Sequence, residues 1–134
     1  MRALGLIASV SLALAAAGAA GAPYQAANWW FLFSAGGTAL GEGYRNDIAK
    51  IPQLLDVLPD PAFFLCSTNS VGGHGSVRRA AVLAAMAEAG VPQDRILDGG
   101  ECRDGVTGRG GDNPEAVFVA MGRKAEFEAY FVQR

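Results

Sequence analysis

Two periodicities alternate along the chain after its first 22 residues. Trp29 to Phe33 is an aromatic apolar run of strand length, and aromatic residues suit a pleated, half-buried surface. Ser34-Ala35-Gly36-Gly37-Thr38 breaks it. From Tyr44 to Leu58 the apolar positions Ile48, Ile51, Leu55 and Leu58 recur at three and four, which predicts a helix with one buried stripe. Pro52 lies inside that stripe and removes a backbone donor, so a kink or restart is expected there. Pro59-Asp60-Pro61 ends the element. Ala62 to Cys66 reads as a second strand and Ser67 to Gly75 as a polar, glycine-rich loop. The next helix is predicted from Ser76, whose hydroxyl is a candidate N-cap, to about Ala89. Val82 and Met86 lie on its buried face, and Gly90 supplies the stop. Arg95-Ile96-Leu97 is a third strand. Asp98 to Pro114 is a long glycine-rich loop, Ala116 to Met121 a fourth strand, and Lys124 to Phe131 a terminal helical turn or two.

The order is β-α-β-α-β-β. Strands joined through helices are usually parallel neighbours with right-handed crossovers, whereas a strand entered from a loop can return antiparallel. The expected fold is an α/β (α+β) sandwich: one mixed four-stranded sheet with two helices on one face.

The beginning of the chain differs in kind. Arg2 is its only charge before Glu42, Ala3 to Ala17 is apolar or small, and Ala20-Gly21-Ala22 has the small-x-small form of a cleavage site. A basic start, an apolar middle and such an end compose a secretory signal. Residues 1–22 are therefore expected to be a signal peptide and residues 23–134 one exported domain; an uncleaved anchor is the alternative. Cys66 and Cys102 are the only cysteines. An even count in an oxidising compartment favours a disulfide, and closing a loop of that size contributes about 4 kcal/mol on the chain-entropy account. The alternative is two buried thiols.

The formal net charge is −2, with the basic residues scattered. That leaves no footprint for nucleic acid. His74 is the only histidine and has no ligand-spaced neighbours, so no metal site is read from it. Nearby serines make a Ser–His pair conceivable, but no G-x-S-x-G frames one. The glycine-rich loop lacks the Lys-Ser/Thr of a P-loop, and no cofactor is implied.

Arg78-Arg79-Ala80-Ala81-Val82, then Met86, then Gly90-Val91-Pro92-Gln93-Asp94-Arg95-Ile96 resembles the second helix and third strand of the OmpA-like peptidoglycan-binding domain. Phe31-Leu32-Phe33 followed by Leu40 is similar to that family's first strand. Phe64 to Asn69 stands where the family has a strand ending in Gly-His-Thr-Asp. Gly72 matches a glycine three residues further on, and Gly100-Glu101 is similar to a Gly-x-Gly-Glu after the third strand. The resemblance runs from about Trp29 to Val119.

The resemblance implies a periplasmic, non-enzymatic envelope domain, associated with the outer membrane, whose ligand is the peptidoglycan stem peptide. Arg78, with Arg79 as the register-shifted alternative, would fork onto a stem carboxylate. Asn69 would accept from the ammonium, with Thr68 and Gly72 beside it. The family has an Asp where this chain has Asn69. A neutral acceptor holds an ammonium less well by roughly 1 kcal/mol, so murein binding is expected to be weak or lost. The glycine-rich loop is also shorter than the family's, and Asn113-Pro114-Glu115 replaces its Asn-Arg-Arg. Two other readings stay open: a scaffold module whose partner is another envelope protein, and an envelope hydrolase using His74.

Overall fold

The computed structural model describes residues 23–70, 72–103, 105–109 and 113–132. The expected signal peptide, residues 1–22, lies outside the described residues. The elements are β1 (Ala27–Leu32), α1 (Glu42–Ala49), a 3-10 turn (Ile51–Leu54), β2 (Pro61–Thr68), α2 (His74–Ala89), a second 3-10 turn (Gln93–Arg95), β3 (Ile96–Glu101), β4 (Ala116–Arg123) and α3 (Lys124–Val132). The four strands form one sheet in the order β1-β4-β2-β3. β2 and β3 are parallel, and β4 runs antiparallel to both of its neighbours, β1 and β2. The mixed sheet expected from the sequence is thus present, with the returning strand inside it.

That central position explains the composition of β4. A strand buried on both faces reads as a continuous apolar run rather than an alternating one, and Ala116 to Met121 is buried throughout. Side chains still alternate between faces. Phe31, Phe63, Leu65, Val117, Val119 and Met121 join one cluster with Ile48 of α1 and with Val82 and Met86 of α2. Both predicted helices therefore share one face. Ala62, Phe64, Cys66, Phe118 and Ala120 point the other way.

The sequence assigns no face to the terminal helical segment, and the second face receives it. α3 lies there, with Phe127 buried in the second cluster and its ring centroid 6.0 Å from that of Phe64. The open side of a sheet this apolar requires a cover, and α3 supplies part of it. The long predicted helix is divided as Pro52 requires. α1 stops at Ala49, and Pro52 sits in the first turn of the 3-10 segment, where its missing N–H costs nothing.

β3 extends to Glu101, beyond the predicted Leu97. Its register against β2 shifts between the Leu65–Asp98 and Ser67–Glu101 pairs, the mark of a bulge. Two glycines permit it. Gly100 has φ +71°, and a side chain on Gly99 would run into the Phe64 ring.

Cys66 and Cys102 form a disulfide with a Cα–Cα distance of 4.8 Å, within the ordinary range for such bridges. It joins β2 to the residue just after β3, where the Cys102 amide donates to the Ser67 carbonyl at 2.8 Å.

Two predictions test this architecture. Replacing both cysteines by alanine should lower unfolding free energy by about 2–4 kcal/mol in denaturant titrations. Gly99→Ala should lower it more than an exposed Gly→Ala change does, because either the Phe64 ring or the bulge must move; the same titration checks it.

Candidate functional site

α2 begins two residues earlier than its candidate cap. Gly72 and Gly73 have φ of 62° and 79°, a left-handed pair that lets the chain turn sharply into His74. Ser76 consequently lies inside the helix, where its hydroxyl donates back to the Gly73 carbonyl at 3.2 Å instead of capping the start.

The adjacent arginines of α2 leave the helix about 100° apart and serve different sides. Arg78 continues the buried stripe of Val82, Ala85 and Met86 one turn toward the helix start. Its side chain is 0% exposed. Nε donates to the Gly37 carbonyl at 2.8 Å, and Nη2 donates to the Ser34 carbonyl at 3.4 Å and to Glu115 Oε1 at 2.8 Å. The Phe33 ring centroid lies 5.2 Å from Cζ, a cation–π distance. Nη1 is buried and has no hydrogen-bond partner among the described residues.

Glu115 approaches from the start of β4. Its side chain keeps 25% of its exposure, and its Oε1 also accepts from the Gly36 amide at 3.4 Å. The Arg78 hydrogen bond first, then the Gly36 amide, hold its carboxyl below the usual carboxylate range. Partial desolvation opposes them, while the nearby charges of Arg78 and His74 add to the lowering.

Arg79 turns toward β3. It pairs with Asp98 at 2.9 Å and Glu101 at 3.3 Å. Its Nη1 donates to Ser67 Oγ at 2.6 Å, and that hydroxyl donates to Glu101 Oε2 at 2.7 Å. Gly75 makes room for this group: a Cβ there would stand 2.7 Å from Ser67 Oγ and would overlap Glu101. Exposed ion pairs contribute only about 0–1 kcal/mol, so the cluster orients β3 against α2 more than it stabilises the domain.

The other expected site residues are distributed unevenly. Asn69 is exposed at the end of β2 with φ +50°, a conformation that asparagine tolerates better than most residues. Gly72 is exposed in the turn before α2. Thr68 is buried, and its hydroxyl donates to the Pro114 carbonyl at 2.5 Å. Among the described residues no hydrogen bond joins Asn69 to Arg78. The guanidinium faces a carboxylate of its own chain, not an open pocket. His74 Nδ1 is buried with no hydrogen-bond partner among the described residues.

Sequence reasoning missed Glu115. It is the only charge between Asp112 and Arg123, which marks it as unusual at the mouth of an apolar run, but nothing local pairs it with Arg78. The burial of Arg78 was available: the stripe through Val82 and Met86 reaches it when extended by one turn. Among the described residues no helix is long and apolar enough to cross a membrane, and no group of three His, Cys, Asp or Glu residues is placed to hold a metal ion.

A linkage prediction follows from the lowered Glu115 carboxyl. A carboxylate held below its unfolded value stabilises the fold above that value and loses the contribution as pH falls through the folded value. Wild type should therefore unfold at higher denaturant than Glu115→Gln at pH 7. The gap should close below about pH 4, where free carboxyls protonate. Denaturation curves across that range check the sign.

No family model matches this chain, and no curated protein does. Solved structures do. The C-terminal domain of Helicobacter pylori MotB superposes with a TM-score of 0.54 at 13% identity, over 78% of this chain and 92% of that one. A longer periplasmic fragment of the same protein gives 0.55 at 12% identity, over 84% and 92%. The OmpA-like domain of FopA1 from Francisella tularensis subsp. tularensis SCHU S4 gives 0.52 at 16% identity, over 71% and 70%. At such identities the likeness concerns the fold: this chain has the fold of OmpA-like domains.

Proposed function

We propose that this protein is a non-enzymatic periplasmic envelope domain that holds the stem peptide of peptidoglycan weakly. The observation that carries the reading is the Arg78 guanidinium at the start of α2, already engaged with a carboxylate at 2.8 Å, in a chain with the OmpA-like fold. A guanidinium held by two backbone carbonyls is oriented for a carboxylate and resists reorientation toward water. Arg78 takes the stem carboxylate, and exposed Asn69 accepts from the stem ammonium. Thr68 supports the strand end from below, and Gly72 leaves the approach open. Residues 1–22 deliver the domain and are removed.

Weakness has two sources in this reading. Asn69 offers the ammonium no negative charge, and Arg78 is buried behind Glu115. The second source also favours a different reading, in which murein contact has been lost and the domain serves another envelope protein. Protein partners retained after murein digestion, detected by proximity labelling, would support that one.

Sedimentation with insoluble murein tests the proposal. Wild type should pellet with murein, and Arg78→Lys, which keeps the charge but not the fork, should pellet less. Asn69→Asp should bind about fivefold more tightly, the equivalent of roughly 1 kcal/mol. Recovery of wild type and both variants in the supernatant would remove the murein reading.

A further inference from the structure

We infer that Glu115 is a resident competitor: its carboxylate occupies the place on Arg78 that an incoming carboxylate ligand must take, and so it sets the affinity of the site. The inference rests on the proposed murein reading and deepens it, naming what limits binding.

Three observations carry it. First, the pairing is incomplete. Glu115 takes Nη2 through one oxygen at 2.8 Å, while Nη1 of the same guanidinium is buried with no hydrogen-bond partner among the described residues. A guanidinium and a carboxylate make their best contact through two parallel N–H···O bonds, and a buried donor left unmatched is costly. A ligand carboxylate arriving end-on could use both Nη groups, which Glu115, reaching from the mouth of β4, does not. Second, the competitor has somewhere to go. Arg78 is 0% exposed, but the Glu115 side chain is 25% exposed, so it can release its hold and meet water with little rearrangement. Third, Arg78 has partners other than Glu115. The Gly37 and Ser34 carbonyls and the Phe33 ring hold the guanidinium from the β1–α1 side. Withdrawing the Glu115 carboxylate gives up its bonds to Nη2 and to the Gly36 amide but leaves these three contacts to hold the guanidinium.

Exchange of one carboxylate for another follows. The ligand's carboxylate displaces Glu115 from Nη2, gains Nη1, and leaves Glu115 hydrated at the rim. The ligand class is a free carboxylate on a small amino-acid or peptide end, and the Gly36 amide, which donates to Glu115, reports the exchange.

The test is a titration of meso-diaminopimelate into isotopically labelled protein, followed by amide chemical shifts. Glu115→Gln should bind about tenfold more tightly than wild type. In wild type, saturating diaminopimelate should move the Gly36 amide resonance toward its position in unliganded Glu115→Gln. If the variant binds within twofold of wild type, or the Gly36 resonance of wild type stays in place while other resonances respond, the competitor role is overturned and the murein reading stands. If neither protein responds although both give folded spectra, both fall. Should Glu115→Gln not fold, the Gly36 resonance of wild type alone still decides: displacement on ligand addition supports the role, and none refutes it.

Discussion

A guanidinium with no access to solvent governs how this domain is put together. Moving such a charge out of water costs several kcal/mol unless its donors are matched. Arg78 recruits its acceptors from distant parts of the chain: two carbonyls from the connection after β1 and a carboxylate from the start of β4. Those contacts fix where the glycine-rich connection passes, how the first turn of α2 lies on the sheet, and where β4 enters it. The aromatic ring of Phe33 closes the remaining side. The backbone turns around the site thus follow from satisfying one cation.

Its neighbour divides the work. Arg79 leaves the helix toward β3 and gathers Ser67, Asp98 and Glu101. The two side chains together clamp α2 from both flanks, one toward the edge strand β3 and one toward the β1 side. A single arginine could not do both, because a helix presents successive residues about 100° apart. The absence of a side chain at Gly75 keeps the Ser67 and Glu101 atoms close enough to the helix for this.

Much of the architecture was legible from periodicity. Four strands, two helices on one face and the antiparallel return all follow from the spacing of apolar positions and from what joins them. Pro52 announced the break between α1 and its 3-10 continuation. The features misjudged or left open turn on a left-handed glycine pair or on partners far away in sequence. Ser76 has the chemistry of a cap, but the left-handed Gly72-Gly73 pair starts the helix earlier. β3 runs on through Gly99 and Gly100 because a ladder with β2 tolerates a bulge that propensity argues against. α3 takes the opposite face because Phe127 finds Phe64. At the site, Arg78 has the composition of an exposed ligand residue and the helical phase of a core residue; phase decided its environment. Its pairing with Glu115 reaches 37 residues along the chain, and no local pattern encodes it.

The sheet order has a consequence for assembly. β1 pairs only with β4, its first residues lying opposite Met121 and its last opposite Ala116. A polypeptide emerging amino end first would carry Trp29, Trp30 and Phe31 unpaired until nearly its whole length had been delivered. Contacts so remote in sequence make folding slow and expose sticky intermediates. Such a domain completes itself in one late step, and whatever shields those aromatic rings in the interval shares in determining how much native protein results.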